Sequence, residues 1–155
     1  MGSSTVTDIT AALTDVTRIA LDTAPVIYYV EQHDRYFPLT YAFFERIARG
    51  ELYAYSSVIT LTETLTHPRR TGDTKTIGAF QTLLLDSENL SLLDVNAAIA
   101  DSAADLRARY NLRTPDAIQI ATALAAGCEA FLTNDRDLRR VQALSILVLD
   151  ELTLD

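Results

Sequence analysis

A chain of 155 residues is long enough to bury one core and short for two domains. Hydrophobic residues at 48% and charged residues at 22% make it globular and exclude a wholly disordered chain. With 13 Lys and Arg against 21 Asp and Glu, the net charge of −8 excludes an unspecific coat for nucleic acid, since such a surface repels phosphate backbones.

Residues 1–17 read as an N-terminal extension to a single domain over 18–155, with the first ~15 residues expected to be loosely attached, as termini usually are. Arg18-Ile19-Ala20-Leu21-Asp22 predicts a short strand ending in an acid, and Thr23-Ala24-Pro25 starts a helix, proline being tolerated in a first turn. Ala42, Phe43, Ile47 and Ala48 recur at helical spacing and predict a helix over 39–49, stopped by Gly50. A strand over 52–55 follows. Val58, Leu61, Thr62 and Leu65 then share one face of a helix that carries Glu63 and is expected to end at His67-Pro68.

Further along, the pattern predicts a helix over 74–85, a strand over 90–95 and an alanine-rich helix over 97–110. Thr114-Pro115 opens a helix running to Ala126, 130–133 is a strand, 135–142 a short helix and 144–149 a last strand. Strands alternating with helices imply an α/β fold: a three-layer α/β/α sandwich with a mainly parallel sheet, whose ligands bind beyond the carboxyl ends of the strands.

That rule selects the acids. Asp22 ends the first strand and Asp135 lies two residues past the strand 130–133, so both are expected at the functional edge of the sheet. Asp116 opens a helix, and Glu63 faces out from an earlier one. Four carboxylates converging on one pocket repel each other unless a cation is bound. Hard oxygen ligands suit Mg²⁺ or Mn²⁺, which keep several waters and take one or two carboxylates directly. A cation held there activates water and neutralises charge developing on a phosphodiester.

At these positions the chain resembles the PIN-domain family, including VapC-type toxin ribonucleases. The residues that carry the resemblance are Leu21-Asp22-Thr23, Glu63, Thr114-Pro115-Asp116-Ala117-Ile118-Gln119-Ile120-Ala121 and Leu132-Thr133-Asn134-Asp135-Arg136-Asp137-Leu138. The order and separation of these motifs are more specific than any one of them. The resemblance implies a Mg²⁺-dependent endoribonuclease with an acidic quartet at Asp22, Glu63, Asp116 and Asp135, and Asp137 as a less regular fifth metal ligand. It makes the Thr133 hydroxyl a candidate contact to metal-bound water or substrate. It further implies the toxin of a toxin–antitoxin pair, a cognate antitoxin protein that blocks the pocket, and a homodimer. The extension before Asp22 has no family counterpart.

Each acid also has a plain structural role open to it. Asp22 and Asp135 stand where helix caps stand, Asp116 where a helix dipole favours an acid, and Glu63 three residues after Thr60, the spacing of a capping box. Asp8, Asp15, Asp73, Asp101, Asp105 and Asp150 are expected at the solvated surface. Arg69-Arg70, Arg107-Arg109-Arg113 and Arg136-Arg139-Arg140 suit RNA phosphates or surface ion pairs equally. The aromatic residues Phe37, Tyr41, Phe43, Phe44, Tyr53 and Tyr55 suit core or a dimer face rather than base stacking. His33 and His67 have no ligand-like partner.

Cys128 is the one cysteine, so no intrachain disulfide is available and a reducing compartment is expected. No stretch approaches the ~18 apolar residues of a membrane span, and residues 1–8 lack a secretory pattern, so a cytoplasmic protein is expected. Receiver and haloacid-dehalogenase-like phosphatase readings fail on Ala24, which stands where such a phosphatase needs a second acid, and on Lys75, the one lysine, which is badly placed to hold a phosphate. A partner-binding module of the same fold without catalysis, and a nuclease of RNA processing without an antitoxin, remain alternatives.

Overall fold

Short runs of β-branched and apolar residues, each followed by a turn and an amphipathic segment, set the element order. The computed structural model describes residues 6–154. It begins with β1 (Thr7–Asp8), α1 (Ile9–Ala12), β2 (Arg18–Leu21), α2 (Thr23–Val30), α3 (Phe37–Ala48), β3 (Tyr53–Ser57) and α4 (Ile59–Thr71). There follow α5 (Thr74–Asp86), β4 (Leu90–Leu93), α6 (Ala97–Tyr110), α7 (Thr114–Ala125) and β5 (Ala130–Thr133). A 3₁₀ helix (Arg136–Arg140), β6 (Ser145–Val148), a second 3₁₀ helix (Leu149–Glu151) and β7 (Leu152–Thr153) complete the chain.

The main sheet has five strands in the order β4-β3-β2-β5-β6, and every neighbouring pair is parallel. The chain grows outward from β2 to β4 and then crosses to the other side of β2 for β5 and β6. Strand order therefore reverses between β2 and β5, where an open α/β sheet forms its ligand crevice. Alternating side chains face opposite layers, as the two-residue period of a strand requires. Ile19, Leu21, Ala130 and Leu132 join one core with α2, α3 and α5, whereas Ala20 and Phe131 join another with α6 and α7. This is the expected α/β/α sandwich with a parallel sheet. Phe43 and Phe44 are core, while Tyr41 and Tyr53 are exposed.

Several local expectations are corrected. The described part of the N-terminal extension is docked: β1 pairs in parallel with β7, and Ile9 on α1 is 1% exposed within the first core. Residues 1–5 lie outside the described residues. Helix α4 does not end at His67-Pro68 but carries Pro68 in its last turn, with the residue buried, and is closed at Thr71 by Gly72 in the left-handed conformation. Its fully buried positions are Thr60, Thr64 and Pro68; of the expected face, Leu61 and Leu65 pack partly buried against the first core, whereas Thr62 is exposed. The Thr64 hydroxyl tolerates burial by donating to the Thr60 carbonyl at 2.7 Å. The expected helix over 135–142 is a 3₁₀ turn instead, anchored by the buried Leu138.

Among acids expected at the solvated surface, Asp8 caps α1 and Asp73 caps α5. Asp150 accepts a hydrogen bond from the Tyr36 hydroxyl at 2.6 Å and pairs with Arg35 at 3.2 Å.

Candidate active site

Asp22, Glu63, Asp116 and Asp135 line one cavity of about 260 Å³, together with Thr23, Arg113 and Gln119. It opens at the carboxyl ends of β2 and β5, beside the reversal in strand order. Asp22 is placed by the end of β2, Asp135 by the turn after β5, Glu63 by α4 and Asp116 by the first turn of α7. The sheet edge and two helix faces thus bring all four acids together. Asp137 is not among the lining residues; it is exposed, and its backbone N–H donates to Asp135 Oδ1 at 2.9 Å.

At least one oxygen of each acid is held by the protein. Glu63 Oε1 accepts from the Thr23 hydroxyl at 2.7 Å, Asp116 Oδ2 lies 3.3 Å from Arg113 Nε, and Asp135 Oδ1 is the acceptor already described. Asp22 is held by both: Oδ1 accepts from the Thr23 backbone N–H at 2.9 Å, and Oδ2 from the Thr133 hydroxyl at 2.8 Å. Thr133 in turn accepts from the Asp135 backbone N–H at 3.1 Å, so one hydroxyl links the two strand-end acids. The capping role open to Asp22 and Asp135 is real, and coexists with their place in the cavity. Thr60 is no cap for α4, so Glu63 belongs to no capping box.

Burial pushes the Asp22 carboxyl up to about 6, against the opposing hydrogen bonds from Thr133 and Thr23, and the nearby Asp116 and Glu63 charges add to the rise. The negative charge is therefore costly among these buried acids, and a cation would relieve it. Among the described residues no three acid, His or Cys side chains stand ready as a closed metal cage. The carboxylates instead surround an open space of several water volumes, which fits a Mg²⁺ or Mn²⁺ ion that keeps most of its waters. Cys128 is buried, and burial drives its thiol up to about 12, so it stays a thiol and supplies no ligand.

Beneath the acids lies a buried polar layer that the sequence pattern conceals. Ser56 donates to the Leu21 carbonyl at 2.8 Å and shares a hydrogen bond with Thr60 at 2.8 Å; Gln119 donates to Thr60 at 2.8 Å. All three residues are almost fully buried. The signal for Gln119 was a single amide inside the apolar run Ala117 to Ala121, on the buried side of its helix. The link from Thr23 to Glu63 had no comparable signal, because it joins elements distant in the chain.

A family model described as PIN domain matches residues 19–144. Among solved structures, the chain is similar to VapBC2 from Rickettsia felis bound to a DNA fragment from their promoter, with 18% identity and a TM-score of 0.67 over 84% of this chain and 97% of that one. It is similar to DNA-bound VapBC from Salmonella typhimurium at 18% identity and a TM-score of 0.67, covering 86% of this chain and 98% of the other. A toxin–antitoxin complex from Klebsiella pneumoniae gives 18% identity and a TM-score of 0.61 over 84% and 97% of the two chains. At this identity the likeness is one of fold. No curated protein matches the chain in sequence.

Proposed function

The chain belongs to the PIN domain family, and from that membership we propose that it is a metal-dependent endoribonuclease, acting in the cytoplasm as the toxin of a toxin–antitoxin pair. The observation that carries the proposal is the convergence of Asp22, Glu63, Asp116 and Asp135 on one cavity at the strand-order reversal. In this reading those four carboxylates hold Mg²⁺, or Mn²⁺ in its place, directly or through water. An ion held by these residues would activate water and neutralise charge on the phosphodiester.

The protein's own groups orient the donors. Thr133 fixes the Asp22 carboxylate and the turn bearing Asp135, and Thr23 steadies Glu63 from the first turn of α2. Thr133 thereby acts on the acids rather than on the substrate. Asp137 supports the Asp135 carboxylate through its backbone and has no ligand role in this account.

The antitoxin is proposed because the fold is shared with chains seen in toxin–antitoxin complexes; a homodimer completes the proposed assembly. The toxin role is tested by inducible expression in a bacterial host. Growth arrest with fragmented RNA, abolished by Asp116→Asn, supports it. Unimpaired growth with the chain present in soluble form contradicts it.

A further inference from the structure

A cavity lined by four carboxylates, in a chain of net charge −8, must still receive a polyanion. Coulomb repulsion opposes that approach, and a bound divalent ion offsets only part of the local charge. Among the residues lining the cavity, Arg113 is the one cation. Its side chain is 79% exposed, while that of its partner Asp116 is 15% exposed. The contact to Asp116 uses Nε, at 3.3 Å. The two terminal nitrogens of the guanidinium, the pair that grips a phosphate end-on, make no protein contact among the described residues.

Four neighbouring arginines are engaged outside the cavity, and Arg136, exposed beside Asp135, is not among the residues that line it. Arg107 Nε donates to the Leu112 carbonyl at 3.0 Å, Arg109 pairs with Asp105 at 3.1 Å, and Arg139 pairs with Glu151. Arg140 is tied to the carbonyls of Tyr110 at 2.7 Å and Asn111 at 3.1 Å. Of the arginines on either side of Asp116, Arg113 alone combines a place in the cavity with an open fork.

Building on the ribonuclease reading, we propose that Arg113 is the substrate clamp of this site: anchored through Nε on Asp116, it grips a backbone phosphate of the RNA strand with its terminal nitrogens and sets that strand against the acids. Arg113 is thus a binding residue rather than a holder of the ion. Lysine cannot replace it fully, because an ammonium is a point charge without the planar fork.

The test is steady-state cleavage of a fluorescent single-stranded RNA by the purified full chain in Mg²⁺, comparing wild type with Arg113→Ala, Arg113→Lys and the surface control Arg109→Ala between 50 and 200 mM KCl. Arg113→Ala is expected to raise KM by roughly tenfold, the loss of one charge-assisted contact, with kcat changed by less than about threefold. The slope of log KM against log salt should fall by about 0.7, one single-strand phosphate contact. Arg113→Lys should recover part of both, and Arg109→Ala should match wild type. An unchanged KM and salt slope in Arg113→Ala overturns the inference alone, as does a change confined to the Mg²⁺ concentration needed for half activity, which would make Arg113 a neutraliser of Asp116. RNA left intact by wild type overturns the nuclease reading and this inference with it.

Discussion

Gln119 on α7 donates its amide to the Thr60 hydroxyl on α4 at 2.8 Å, and each of these residues lies three positions from an acid of the cavity: Thr60 precedes Glu63, and Gln119 follows Asp116. Three residues make nearly one helical turn, so the bond bolts the two helices together just behind the carboxylates they carry. Gln119→Leu keeps the volume and removes the bolt. It should cost about 2 kcal/mol and lower Tm by about 4–8 °C. It should also weaken Mn²⁺ binding several-fold while far-ultraviolet circular dichroism stays native. A variant with unaltered melting and metal affinity would show that the helices hold their spacing without it.

The raised Asp22 carboxyl makes stability depend on pH in a defined direction. Its folded value is about 6 against an ordinary 3.8, so between those values the folded state binds more protons than the unfolded one. Stability from this group is therefore intact below pH 3.8, falls as pH rises, and is lost above about 6, at a cost of about 3 kcal/mol. Asp22→Asn removes the cost. Without metal it should melt about 6–12 °C above wild type at pH 8, with the gap closing near pH 4. Saturating Mg²⁺ should reverse the order, because it stabilises wild type by binding the folded state. Equal stabilisation of both proteins by Mg²⁺ would remove Asp22 from the metal site.

Thr133→Val tests the hydroxyl that joins the strand-end acids. Its donation to Asp22 lowers that carboxyl, so its loss should move the acidic limb of the cleavage profile to higher pH. It also leaves the Asp135 backbone N–H without its 3.1 Å acceptor, and overall activity should fall by about ten- to a hundredfold. A reduced rate with an unmoved acidic limb would mean that Thr133 acts on substrate rather than on Asp22.

The N-terminal segment is predicted to be structural. Ile9 is 1% exposed, and Ile9→Ala should cost about 2–4 kcal/mol, read as a lower denaturation midpoint, with kcat unchanged. Stability equal to wild type would mean that β1 and α1 do not dock in solution.

Legibility in the sequence followed the strength of local signals. Helix α6 keeps its expected bounds because Asn96 caps its start and Asn111, left-handed at its end, stops it. Strand β5 is buried along its whole length because it lies inside the sheet and is covered on both faces. Asp22, Asp116 and Asp135 were legible because strand ends and a helix start place them by rule, whereas Glu63 lies within α4 and no such rule brings it to the cavity. The pairing of β1 with β7 was not: each strand has two residues, too few for a period, and their contact joins the two ends of the chain. Pro68 inside α4 and the buried threonines beside it misled for the same reason, since burial of Thr60 and Thr64 depends on hydrogen-bond partners that spacing cannot reveal. The place of Arg113 in the cavity had no signal in the sequence, because it depends on how α7 meets the end of β2.

The most direct test of the account is incubation of labelled total RNA with purified wild type and Asp116→Asn, each with Mg²⁺, with Mn²⁺ and with chelator. Wild type should give discrete cleavage products with either metal, and neither the variant nor wild type in chelator should give any. Equal cleavage by wild type and Asp116→Asn, or cleavage that persists in chelator, would contradict a metal-dependent site built on these four acids.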